Sequence, residues 1–255
     1  MATFEEELEK IEPVIRKLCN FALLGKKIEV QGKENFIKKG PNIIVGNHIG
    51  SYKDIAILLK IVPRPIFFIA NRMVFNREDF NFLIRNHLKC HLKDFGLFLD
   101  LVLKPIKSLF VNFISSNIGK IGTIPVDLTS SKGIVIEKCQ EHLKQGRTII
   151  ALQGHGRIIE SCKNPFMSPF RKGASLISYN LYTQEDNLVP VTPVAVLGTQ
   201  RPFLVPGRIM VKIGKPLYIT DYFAGGLYET VSRFAQAMEE RVNALILESI
   251  RAMKT

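Results

Sequence analysis

Gly46-Asn47-His48-Ile49-Gly50-Ser51-Tyr52-Lys53-Asp54 is the stretch from which the fold is read. The apolar run Ile43-Ile44-Val45 leads into it and predicts a buried strand, and Ile55, Leu58 and Leu59 leave it at helical spacing. Ser51-x-x-Asp54 has the form of a helix capping box, which starts the helix at Ser51. His48 then falls in the turn after the strand, and Asp54 in the first helical turn. A carboxylate so placed can hold the tautomer of an imidazole and stabilise its imidazolium, while the other ring nitrogen takes a proton from a hydroxyl. The alternative is structural: Asp54 only caps its helix and complements the helix dipole, and His48 is a satisfied loop histidine.

Working outward, the 255 residues suffice for one sizeable core, and a hydrophobic content of 46% marks a folded chain. The charge balance is basic, 35 Lys+Arg against 23 Asp+Glu, and favours an anionic partner. The basic residues are scattered among Leu, Ile and Phe, with no Lys/Arg-rich block. That distribution points to the phospholipid surface of a cytoplasmic leaflet, with peripheral attachment, and away from nucleic acid. Cys19, Cys90, Cys139 and Cys162 form no CxxC pair and read as reduced thiols, so neither a metal nor a disulfide framework is expected. Phe4-Glu5-Glu6-Glu7 has the wrong charge for a signal peptide, and no apolar run is long enough for a transmembrane helix.

One domain is expected over 1–255. A helical segment fills 1–26, where Phe4, Leu8, Ile11, Ile15, Leu18 and Ala22 recur at helical spacing and Pro13 kinks or restarts the helix. An α/β core follows over 27–220, with a long insertion around 71–120, and a C-terminal helix occupies 221–255. Strands are predicted at 27–32, 43–45, 65–70, 121–127, 147–152 and 208–214. The segment 188–196 carries Pro190 and Pro193 and reads as an edge or irregular strand. Helices are expected at 134–143, with Gly146 as C-cap, and from 227 with Val231, Phe234, Met238, Val242 and Leu245 inward. Strands alternating with helices predict an α/β fold with a central, largely parallel mixed sheet flanked by helices, its site at the strands' carboxyl ends. Within 95–118, Asp100, Lys104, Lys107 and Ser115 make a narrow polar stripe beside Leu97, Phe98, Leu101, Leu109, Phe110 and Phe113, and Pro105 bends or divides the helix. That segment is either an interfacial helix dipping into a bilayer or a buried core helix.

A second strand-to-loop junction, Gln153-Gly154-His155-Gly156-Arg157, follows the strong strand ending at Leu152. Parallel strands bring it to the same sheet edge as His48. Arg157 suits a phosphate oxyanion through paired hydrogen bonds, with Gly154 and Gly156 allowing close backbone approach; a surface salt bridge is the alternative. In this order the chain resembles the glycerophospholipid (lysophosphatidic acid) acyltransferase family over roughly 28–217. Its N-H-x-S-x-x-D motif is similar to Asn47-His48 with Ser51-Tyr52-Lys53-Asp54. Gly122 to Asp127, Leu152 to Arg157, Phe170-Arg171-Lys172-Gly173-Ala174 and Val189-Pro190-Val191 are similar to its later motifs. The chain departs from the pattern by an extra residue between His48 and Ser51, which Gly50 absorbs through unusual dihedrals, by Gln153 in place of glutamate, by a residue inserted before Arg157, and by Leu128 in place of an arginine.

The resemblance implies acyl transfer from acyl-CoA or acyl carrier protein, as co-substrate, to the hydroxyl of a lysophospholipid or glycerol phosphate, without metal or other cofactor. His48 would be the general base and Asp54 its orienting acid. Asn47, Ser51, Gln153, Gly154, His155, Gly156, Arg157 and Lys172 would bind substrate. Two other functions remain open: a catalytically degenerate lipid-binding member, and an esterase or thioesterase.

Overall fold

The computed structural model describes residues 4–50, 52–102, 104–126, 132–154, 165–202 and 204–254. In chain order the elements are α1 (Phe4–Ala22), β1 (Lys26–Gln31), β2 (Asn42–His48), α2 (Tyr52–Ile61), β3 (Ile66–Asn71), α3 (Arg77–Val102), α4 (Lys104–Asn117), β4 (Thr123–Val126), α5 (Lys132–Lys144), β5 (Thr148–Gly154), α6 (Gly173–Glu185), β6 (Val191–Leu197), β7 (Gly207–Ile213) and α7 (Leu227–Lys254). Strands alternate with helices, and the pairings are parallel except for β6 with β7. The α/β class expected from the sequence is the class found.

The contacts cluster into two compact units. The larger comprises 12–66 and 136–255. Its strands run in the order β1-β7-β6-β2-β5. β2 lies between two parallel neighbours, and this explains its composition. A strand flanked on both edges and covered on both faces reads as an unbroken apolar run, and Ile43, Ile44 and Val45 are at most 1% exposed. α7 packs on β6 and β7 through Val231, Phe234, Met238, Val242 and Leu245, all buried, as their spacing predicted. Each such side chain removed from water contributes about 1.5–3 kcal/mol. Gly146 ends α5 at φ 71°, the left-handed conformation expected of a C-cap.

Two expectations change. β6 is not an edge strand: it is buried along its length, between β2 and β7. Pro193 is tolerated there because its register partner is Val45 of β2, whereas pairing with β7 begins only at Val194. Its carbonyl accepts from the Gly214 N–H, and the next bridge is Val191 with Leu217. The ring nitrogen, with no proton to donate, thus falls at the break in the neighbouring strand. Likewise α1 is one continuous helix through Pro13 rather than a restarted one. Pro13 lies on its exposed side, and the expected face from Phe4 to Ala22 is half-buried.

The smaller unit comprises 1–11 and 67–135. It pairs β3 with β4 in parallel, Phe68 opposite Thr123, and Phe4 meets Phe67 with ring centroids 4.8 Å apart. The insertion between these strands is α3 and α4. Pro105 lies within α4, and position 103, where the expected bend or division would be read, lies outside the described residues. No described helix is long and apolar enough to cross a membrane.

In the larger unit, Arg147 donates to Nδ1 of His142 at 3.0 Å, so that nitrogen holds the lone pair. Burial, then the Arg147 charge, press the His142 pKa below its ordinary value, against an opposing pull from Glu141. The folded ring therefore binds its proton more weakly than the unfolded one. Its contribution to stability is complete above the ordinary histidine pKa of about 6.5 and is lost as pH falls through the folded value. Denaturant midpoints measured across this range should decline on acidification, with a shallower decline in His142→Gln.

Candidate active site

β2 carries Asn47 and His48 to its carboxyl end, where β5 runs parallel: Asn47 is opposite Gln153, and His48 opposite Gly154. Both polar junctions read from the sequence thus meet on one sheet edge. His48 is the last residue of the strand, not part of the turn after it. The strand direction therefore fixes its Cα. Asp54 lies in the first turn of α2, as the capping pattern required, and has no solvent exposure.

His48 Nδ1 stands 2.9 Å from Asp54 Oδ2. The Gly50 N–H donates to the same oxygen at 2.7 Å, and the Thr199 hydroxyl donates to Oδ1 at 2.5 Å. Both readings of Asp54 hold together: the carboxylate accepts a backbone N–H at the head of its own helix and faces the imidazole. A carboxylate acts as acceptor only, so His48 Nδ1 carries the proton and Nε2 keeps its lone pair. The His48 side chain is 33% exposed against 0% for Asp54. The pair therefore runs from a dry carboxylate to an accessible ring nitrogen.

Gly50 is required by space, not by unusual dihedrals. Its φ is not positive. A Cβ there would lie 2.2 Å from Thr199 Cβ and 2.8 Å from Asp54 Oδ1. Thr199, itself fully buried, stands just past the end of β6. Two lysines hold the loop it begins. Lys53 Nζ donates to the Arg201 carbonyl, and Lys26 Nζ to the carbonyls of Pro202, at 3.0 Å, and Val205. Burial pushes the Lys53 pKa down, Lys26 adds to this, and Asp54 opposes it. Sequence reading missed Thr199 and Lys53. The signal was present, since β6 is parallel to β2 and its carboxyl end must reach the same edge; the two prolines hid it by demoting β6.

The remaining expected site residues divide. Asn47 is 0% exposed; its amide nitrogen donates to the Val196 carbonyl and its oxygen accepts the Val196 N–H, each at 2.8 Å. It extends the β2–β6 ladder beneath the site, and both ends of its amide are engaged. Gln153 Oε1 accepts the Arg171 N–H at 3.4 Å, and Gly154 closes β5. Lys172 turns to α7, its Nζ 2.7 Å from Ser232 Oγ and 3.8 Å from the centre of the Tyr228 ring. Ser51, His155, Gly156 and Arg157 lie outside the described residues. Among the described residues no group of His, Cys, Asp and Glu is arranged to hold a metal.

A buried acid behind a half-exposed imidazole can take a proton from a hydroxyl. Residues 27–94, which hold the pair, match the acyltransferase family model. The chain matches that model over this stretch. Its fold is similar to that of the 1-acyl-sn-glycerophosphate (LPA) acyltransferase PlsC from Thermotoga maritima, at 20% identity and a TM-score of 0.58, over 97% of this chain and 84% of that one. No curated protein sequence matches the chain. The His48–Asp54 pair is thus built on the ends of β2 and β6, since the loop after β6 supplies the third donor to its acid.

Thr199 holds Asp54 by a hydrogen bond and, with His48 as general base, would be a positioning residue. Hydrogen bonds to charged acceptors are worth roughly 1.5–3 kcal/mol. Thr199→Val should therefore lower kcat about tenfold or more with KM little changed, and Thr199→Ser should restore most of it. Steady-state kinetics of both variants checks this.

Proposed function

We propose that the protein transfers a fatty acyl group from a thioester, acyl-CoA or acyl carrier protein, to the hydroxyl of a lysophospholipid or glycerol phosphate. The observation that carries this reading is the His48–Asp54 contact of 2.9 Å, inside the stretch that matches the acyltransferase family. His48 Nε2 removes the acceptor hydroxyl's proton as its oxygen attacks the thioester carbonyl. Asp54 stabilises the imidazolium so formed. As the tetrahedral intermediate collapses, the C–S bond breaks and the imidazolium returns its proton to the departing thiolate. No acyl-enzyme is required. The acceptor phosphate is assigned to the loop after β5, from Gly154 to Arg157. The likeness to a lysophosphatidic acid acyltransferase supports the choice of acceptor class, through the shared fold.

The reading includes a membrane surface as the place of reaction. Of the two alternatives for 95–118, exposure favours the interfacial one: Phe98 is 58%, Leu101 70% and Leu109 72% exposed. Soluble proteins seldom expose apolar side chains grouped in this way.

With labelled acyl-CoA, product formation should require an added lysophospholipid or glycerol phosphate acceptor. His48→Ala should lower kcat/KM by at least about a hundredfold, the scale of general-base catalysis. Release of free fatty acid without acceptor would instead indicate a hydrolase, and binding without turnover a lipid-binding protein. A Phe98→Ser, Leu101→Ser, Leu109→Ser variant should lose most of its partition into phosphatidylcholine vesicles in flotation assays, while keeping its thermal unfolding midpoint.

A further inference from the structure

The helical insertion carries a cavity of its own, of about 670 Å³. The first turns of α3 line it with Arg77, Asn81, Phe82 and Arg85. The last turn of α3 adds Asp100 and Leu101, and the first turns of α4 add Lys104, Lys107 and Ser108. The volume falls within the range of small-molecule sites, about 300–1,000 Å³.

Its charge is uneven. Asp100 is the one carboxylate in the lining and is taken by Lys107, at 2.5 Å. Arg77 donates to the neutral Ser108 hydroxyl at 3.1 Å and keeps its charge uncompensated. Among the described residues neither Arg85 nor Lys104 has an acidic partner, and both are exposed. A concave site with two guanidinium groups and an unpaired ammonium attracts a phosphate, which guanidinium binds through paired hydrogen bonds. The rim is apolar. Phe82 is 56% and Leu101 70% exposed within the lining, and Val102, Leu109 and Phe110, next in sequence to lining residues or one removed, are exposed as well. A free phosphate has no use for such apolar surface, and the leucine and valine in it suit hydrocarbon better than a stacked base, whereas a phospholipid presents a phosphate and hydrocarbon together.

We propose that this cavity binds the phosphate headgroup of an anionic glycerophospholipid, as a membrane-recognition site distinct from the His48 centre. The inference rests on the membrane-surface part of the functional reading and is independent of acyl transfer. Arg77 and Arg85 grip the phosphate, Lys104 adds charge, and Phe82 and Leu101 lie against the glycerol and upper acyl carbons.

The test is flotation of the full chain with vesicles of phosphatidylcholine alone and of phosphatidylcholine mixed with phosphatidylglycerol. The wild type should prefer the mixed vesicles. Arg85→Gln with Lys104→Gln should lower partition into them roughly thirtyfold, from the contribution of two basic residues at an anionic surface, and leave binding to phosphatidylcholine unchanged. Lys38→Gln with Lys39→Gln, an equal change of charge at an exposed turn, should alter it less than about threefold. Dihexanoyl phosphatidylglycerol should compete, and inorganic phosphate and dihexanoyl phosphatidylcholine should not. Equal loss in the two double variants would reduce the preference to net charge and overturn the site. Competition by inorganic phosphate or by a single-stranded oligonucleotide would overturn the lipid assignment. Failure of the wild type to bind either vesicle would instead overturn the membrane-surface reading itself.

Discussion

A carboxylate with no access to solvent is the constraint on which this site depends. Leaving Asp54 dry without partners would cost several kcal/mol. Three donors compensate: the Gly50 N–H, the Thr199 hydroxyl and the His48 ring. Each comes from a different piece of chain, the turn into α2, the loop after β6 and the end of β2. The acid is satisfied only when all three are assembled, so the geometry that stabilises it is the geometry that orients the imidazole. Structure and chemistry share one set of hydrogen bonds.

The sheet makes that assembly possible. β5 and β6 both run parallel to β2, so all three deliver their carboxyl ends to one edge. Asn47 ties β2 to β6 at Val196, just short of the Thr199 loop, and Lys53 and Lys26 fasten that loop through its carbonyls. A buried lysine beside a buried aspartate looks like a simple ion pair in sequence. Here the ammonium serves as a clamp on backbone oxygen, and the carboxylate is left to histidine.

The basic excess of the chain acquires a location as well as a size. In the helical insertion, cations outnumber carboxylates around one concavity, next to exposed leucine and phenylalanine. Apolar side chains and cations interleaved on helices suit an interface between water and hydrocarbon, where each half of the surface meets its own solvent.

By itself the sequence determined the α/β class, the buried β2, the helix that starts at the motif, the apolar face of α7, and the pairing of His48 with Asp54. These are local signals: hydrophobic period, cap chemistry and a spacing that one strand-to-helix turn converts into proximity. Only the tertiary structure decided what lies across chain-distant contacts. Thr199 donates to an acid 145 positions away. Gly50 is glycine because of that same threonine. Pro193 sits inside the sheet because the neighbouring strand breaks beside it, and Lys172, expected at the substrate, turns to α7. No local pattern records such contacts, because the groups that create them are brought together only when the sheet closes.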